Sequence, residues 1–359
     1  MCREDFQSNL ICSCRIRQAA GFECIVPIPL EQVELNQYFL IMHNKSNRTT
    51  YVSQLNLLPS DIIGFAYSAI AVALTVAAAF LSGYPFGIVW LIGQLLFALA
   101  FLEWFIVLHE AGHRTLFRHR LPNMLVGTLA GFFALIPFSA WRQIHARHHV
   151  WTGWQDMDAT TATLVARPLA TWEKWAINVA WRSGIPLFSV LYRLQNYWNP
   201  RRLQQFLAAS VLPRIRIESM SLLLIYAVIA LWFGPWQLAS TCGVGLLLAL
   251  VIQDPLLLSQ HTHMPSHLAQ GKTVRPFSHS EQEAFTRSLR FPFWISLLIM
   301  HFDAHELHHM FVRIPGYRLR HIDYHPSNEV GWWQWLRAAK KLSGVDFLFG
   351  RRDKTKFPY

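Results

Sequence analysis

The sequence predicts an all-α, multi-pass membrane protein, with four transmembrane helices in two hairpins and a histidine-rich helical cap on the cytoplasmic side. Three observations predict it. Apolar residues make up 53% of the 359 and charged residues only 15%, against about 25% charged in ordinary soluble domains. Two apolar runs are long enough to cross a membrane as helices, and two further apolar runs form a second hairpin. Histidines gather in three boxes, His109-Glu110-Ala111-Gly112-His113, His145-Ala146-Arg147-His148-His149 and His305-Glu306-Leu307-His308-His309.

Taken in order, residues 1–55 lack sustained periodicity and read as a mobile leader, with Met42 as an alternative start. Four of the five cysteines (Cys2, Cys12, Cys14, Cys24) lie there, so no disulfide framework supports the body of the chain. The sequons at Asn44 and Asn47 need a translocated segment, which the topology denies. Residues 62–81 carry no charge, and 86–108 are broken only by Glu103. Ser82-Gly83-Tyr84-Pro85 between them is a turn, so the two runs make a hairpin whose second helix ends in the first histidine box. The uncharged stretch 121–140 resembles a third span, but a crossing would separate His113 from His145 by a bilayer. Pro122, Gly127, Gly131 and Pro137 supply break points, and the stretch reads as re-entrant or interfacial.

From 141 to 217 the chain is basic and rich in Trp and Tyr, as expected of helices lying along an interface. Runs 219–233 and 238–252, joined by Gly234-Pro235-Trp236-Gln237, form the second hairpin. Neither hairpin tip holds a Lys or Arg, whereas 109–217 and the residues after Arg275 hold many; by the positive-inside rule the boxes face the cytoplasm. The apolar stretch 291–300 is too short to span and tucks against the bundle. The body runs from 56 to 345 and a basic tail from 346 to 359. The net charge of +11 fits cytoplasmic loops facing anionic lipid, and no nucleic-acid partner is expected.

On a helix, positions i, i+3 and i+4 share a face. The first box therefore aims two imidazoles one way and each later box aims three, giving eight donors. Imidazole suits iron, zinc, copper or nickel, and eight are too many for one ion, so two metals are implied. Glu110, Asp156, Asp158 and Glu306 lie close enough in sequence to orient the rings. His301, four before His305, is a possible further donor. A substrate path would start near the metals, with walls before His109 and around Trp141 and Trp151.

Two rivals are weaker. His109-Glu110-x-x-His113 matches the zinc-protease signature, but such intramembrane proteases need a distant acidic ligand, usually an Asp followed by Gly, and no Asp-Gly occurs here. Haem ligation places single histidines on facing helices rather than in clusters.

As a set, the boxes HEAGH, HARHH and HELHH resemble those of the integral-membrane fatty-acid desaturase and hydroxylase superfamily. Gln260-His261-Thr262-His263 resembles an extra histidine motif of its acyl-lipid desaturases, and Phe311 to Tyr317 is also similar to theirs. The likeness covers roughly residues 55 to 345. It implies a nonhaem diiron centre that uses O2 to insert a double bond into an acyl chain. The substrate would be an acyl-lipid or acyl-thioester, with electrons from a ferredoxin or cytochrome-type donor. The implied iron ligands are His109, His113, His145, His148, His149, His305, His308 and His309, with His261 as the ninth and His263 as its alternative. Hydroxylation or ketolation of another long apolar substrate, such as a carotenoid or sphingolipid, is the alternative within the same chemistry. The basic cytoplasmic face would attract an acidic donor.

Overall fold

The computed structural model describes residues 57–359, so the leader, its cysteines, its sequons and Met42 lie outside the described residues. Those described are mostly helical, and four helices are long and apolar enough to cross a membrane. The first, α1 (Asp61–Ser82), starts where the Ser60 side chain accepts from the Ile63 amide, an N-cap that meets one of the helix's orphan donors. Next comes α2 (Ile88–His113), which ends at Arg114 in the left-handed conformation.

These two pack along each other, and α2 is the central helix: protein covers 67% of its apolar window, against 17% for α1. Gln94 of α2 is fully buried and ties three elements together. Its amide nitrogen donates to Ser82 Oγ and to the Thr241 carbonyl, while its oxygen accepts from the Gly245 amide. A polar group at that depth has no water to bond, so these partners fix the packing of the spans.

The uncharged stretch after the first box is broken. Helix α3 (Arg120–Ala134) and helix α4 (Phe138–Trp151) meet at an angle of 97° across Leu135, which is left-handed, and Pro137. The other candidate break points are used differently. Pro122 sits in the first turn of α3, and Gly127 is a packing site, since a Cβ there would lie 2.3 Å from the Phe138 ring. The fold-back returns the chain to its starting level, and His113 and His145 come within 2.8 Å of each other. Two rings in contact cannot lie on opposite sides of a bilayer.

Short helices α5 (Thr171–Ser183), α6 (Leu187–Arg193) and α7 (Pro200–Phe206) lead to α8 (Leu212–Phe233). Pro235–His261 is one candidate span, opened by a helical turn at Pro235–Leu238, continued by a five-residue π turn at Ala239–Gly243 and completed by α9 (Val244–His261). The last two spans do not pack chiefly on each other. Helix α9 lies against α2, while α8 lies against α4 and donates from Tyr226 Oη to the Phe132 carbonyl of α3.

The apolar stretch at 291–300 forms only α10 (Phe293–Leu298), held to the first span by Tyr67 Oη donating to the Leu297 carbonyl. Then follow α11 (His305–Met310), α12 (Trp332–Ala339), α13 (Gly344–Phe349) and α14 (Arg352–Thr355). Leu289–Arg290 and Val330–Gly331 form a two-stranded parallel pair. Residues 346–359 pack against the body: the Phe347 ring stacks on Trp181 and Phe357 is buried.

Candidate metal centre

All three boxes and His261 meet at one place, where α2 and α9 both end. The histidines sort into two groups. Ligand atoms of His109, His113, His145 and His308 lie within 4.8 Å of one another, and those of His148, His261, His305 and His309 do the same. His149 adjoins the first group, its Nε2 standing 3.1 Å from the Nε2 of both His145 and His308. Each later box is therefore shared. In the second box the i and i+4 rings join the first group and the i+3 ring the second; in the third box the assignment is reversed. Helical spacing puts i and i+4 together and offsets i+3 sideways, which is how one box reaches two sites.

What the rings bond to outside the groups fixes their tautomers. His109 Nδ1 is 3.0 Å from Glu110 Oε1 and His148 Nδ1 is 2.7 Å from Asp158 Oδ2. His261 Nδ1 is 3.2 Å from the Phe285 carbonyl. The Gln282 amide donates its nitrogen to the His149 and Phe277 carbonyls, so its oxygen faces His309 Nδ1 at 2.8 Å. Carboxylates and carbonyls only accept, so all four rings carry the proton on Nδ1 and turn a bare Nε2 inward. The Nε2 atoms of His109 and His309 are buried and have no hydrogen-bond partner. Converging bare lone pairs on largely buried rings, without thiolates or carboxylates among them, fit two divalent transition-metal ions.

The electrostatics agree. Burial, and then the neighbouring rings, hold His305, His308 and His309 well below the ordinary histidine range, which keeps them as neutral ligands. The folded form stays neutral while the unfolded form protonates below pH ~6.5, so stability is full above that value and falls below it. The thermal midpoint of the chelated protein is expected to fall steeply between about pH 6.5 and pH 5. A flat profile would contradict the buried neutral set.

The sequence expectations divide accordingly. His263 turns away: left-handed at φ 59°, it packs on the Phe357 ring and meets Thr355 Oγ1 through Nδ1. His301 is also left-handed and bonds Ser296 Oγ, because the last box's helix begins at His305 and does not extend back. Of the four nearby acids, Glu110 and Asp158 hold rings. Asp156 instead accepts from the Ala269 and Gln270 amides, and Glu306 from the Ser288 and Asn328 amides. Gln282 and the Phe285 carbonyl were not foreseen, since no spacing links them to a box. Replacing Asp158 with Asn is expected to weaken metal binding about 10–100-fold, measured by competition with a chromophoric chelator. Unchanged affinity would deny Asp158 this role.

Glu110 also accepts from Thr115 Oγ1 and the Gly316 amide, so it is held by the fold and is not a free general base. A narrow cavity opens beside the groups, lined by His109, His145, His148, His261 and His305 and walled by Phe105, Trp141, Leu164, Phe188, Leu257 and Phe302. Phe105 and Trp141 lie where a substrate wall was expected; Trp151 does not line the cavity.

The fold and this centre define a membrane oxidoreductase: residues 85–329 match the family model described as fatty acid desaturase, and the chain belongs to that family. Among individual proteins, it is 26% identical over 258 residues to the sn-1 oleoyl-lipid 12-desaturase of Picosynechococcus, covering 66% of this chain and 68% of that one. It is 26% identical over 266 residues to the chloroplastic omega-6 fatty acid desaturase of Glycine max, covering 67% of this chain and 56% of the soybean protein. To the sn-1 oleoyl-lipid 12-desaturase of Synechocystis it is 25% identical over 268 residues, covering 68% and 72%.

Proposed function

We propose that this protein is an O2-dependent nonhaem diiron desaturase that inserts a double bond into the acyl chain of a membrane lipid, with an acyl-thioester as the other carrier its chemistry would accept. The observation that carries this reading is the pair of histidine groups opening onto one apolar cavity. His109, His113, His145, His149 and His308 would hold one iron; His148, His261, His305 and His309 would hold the other. A bound iron pair supplies the oxidising power of O2 needed to take hydrogen from an unactivated methylene.

The chain's own residues do the rest. Glu110, Asp158, Gln282 and the Phe285 carbonyl hold the ring protons on Nδ1, keeping each Nε2 aimed inward. The apolar walls admit an extended hydrocarbon and exclude water. Two electrons come from a ferredoxin or cytochrome-type donor.

In the membrane, α1 with α2 and α8 with α9 act as two hairpins. What supports this is that α2 and α9 both end at the histidine centre, so the two short connections belong on the far side. The positive-inside charge pattern then puts the centre in a cytoplasmic helical cap. We take 1–55 as leader, 56–345 as the desaturase body and 346–359 as the basic tail.

Expression in a host lacking the product, with acyl-chain profiles read by mass spectrometry, tests the reading. A new double bond in cells making the native chain, absent with His148→Ala, is the expected result. Added oxygen would mean hydroxylation or ketolation, and an unchanged profile would overturn both.

A further inference from the structure

The last described residues dock on His263, two residues beyond the second-group histidine His261, and on Arg287. Phe357 is 3% exposed, with its ring 4.7 Å from that of His263 and the Arg287 guanidinium carbon 5.7 Å from its centre. Thr355 Oγ1 meets His263 Nδ1 at 3.2 Å. Arg287 in turn donates to the Ser259 and Thr262 carbonyls. The segment is thus fixed to the stretch of backbone that carries His261. Its outer side presents Arg351, Arg352, Lys354 and Lys356, all exposed, against one carboxylate, Asp353, which pairs with Arg351 at 3.4 Å.

The proposed reaction demands two electrons beyond those the substrate gives up. Written in full, –CH2–CH2– + O2 + 2e⁻ + 2H⁺ gives –CH=CH– + 2H2O: the methylenes are oxidised by two electrons, and O2 takes those and two more. Among the described residues, the two histidine groups are the only clusters able to hold a metal. A separate electron carrier bound close to one group is the route consistent with those residues.

A membrane surface would use a patch of cations differently. Segments that lie on lipid pair their cations with an apolar face, and no large apolar side chain is exposed beyond Trp333. A face that is charged, small and free of exposed aromatics suits a transient, electrostatically steered protein encounter.

Resting on the desaturase reading, we propose that Arg351, Arg352, Lys354 and Lys356 form the docking surface for an acidic one-electron carrier protein. The carrier is oxidised there and the metal pair is reduced through the His261 side of the centre.

The test is binding, measured on the full iron-loaded chain in zwitterionic nanodiscs with an acidic [2Fe–2S] ferredoxin as probe. At low salt, the variant with all four cations replaced by Gln is expected to bind the ferredoxin at least about tenfold more weakly than the native chain, with a flatter salt dependence. Its thermal midpoint and metal content should match the native chain, since all four side chains are exposed. Equal ferredoxin affinity in the two proteins would overturn the proposal. So would a variant that loses binding to vesicles containing anionic lipid but keeps the ferredoxin. Because no turnover is required, a failure here is separate from a failure of the desaturase reading, which appears as an unchanged lipid profile in the expression host.

Discussion

Replacing His149 with alanine is expected to abolish product formation and to lower bound iron from two ions per chain towards one. His149 is 4% exposed and its Nε2 faces both His145 and His308, so its loss opens the first group on the side where the second and third boxes meet. The second group keeps all four rings. The parallel change His309→Ala should empty the other site instead, because the His309 Nε2 is buried, unpartnered and turned into that group. Iron per chain, measured beside product, separates this account from a general loss of structure. Either variant retaining two ions and full activity would contradict the assignment.

The second large effect is expected at Gly112, which is no ligand. A Cβ there would lie 2.0 Å from the Trp141 ring. Trp141 is 2% exposed and stacks on His145 with ring centres 4.3 Å apart. The ring is rigid and enclosed, so Gly112→Ala must push α4 away from α2 and move the second box with it. Overpacking of this kind costs roughly 1–3 kcal/mol. Here the displacement also separates His113 from His145, so iron content and activity should fall with the thermal midpoint. Trp141→Leu in the same chain removes the obstructing ring and should recover part of the metal. An alanine variant indistinguishable from the native chain would show that this close approach does not position the boxes.

Much of the architecture was legible because its signals are local. The apolar runs at 62–81, 86–108, 219–233 and 238–252 fall in the four helices long and apolar enough to cross a membrane, since apolar length is what a bilayer requires. The box spacing marked the ring-bearing residues, and His109 and His113 fell on the last turn of α2 as expected. Long-range pairing was less legible. Sequence neighbours α8 and α9 find their main packing elsewhere, and nothing in their composition says so. His301 had a ligand's spacing, but two successive left-handed residues, Met300 and His301, cut the helix that the spacing presumed. Gln282 acts through a loop that returns from 20 residues beyond Thr262, a relation that periodicity does not carry.

Anomalous scattering at the iron edge, from crystals grown with iron, tests the central claim most directly. Two peaks are predicted, one enclosed by His109, His113, His145, His149 and His308, the other by His148, His261, His305 and His309. A single peak, or an ion bound without rings from all three boxes, would contradict it.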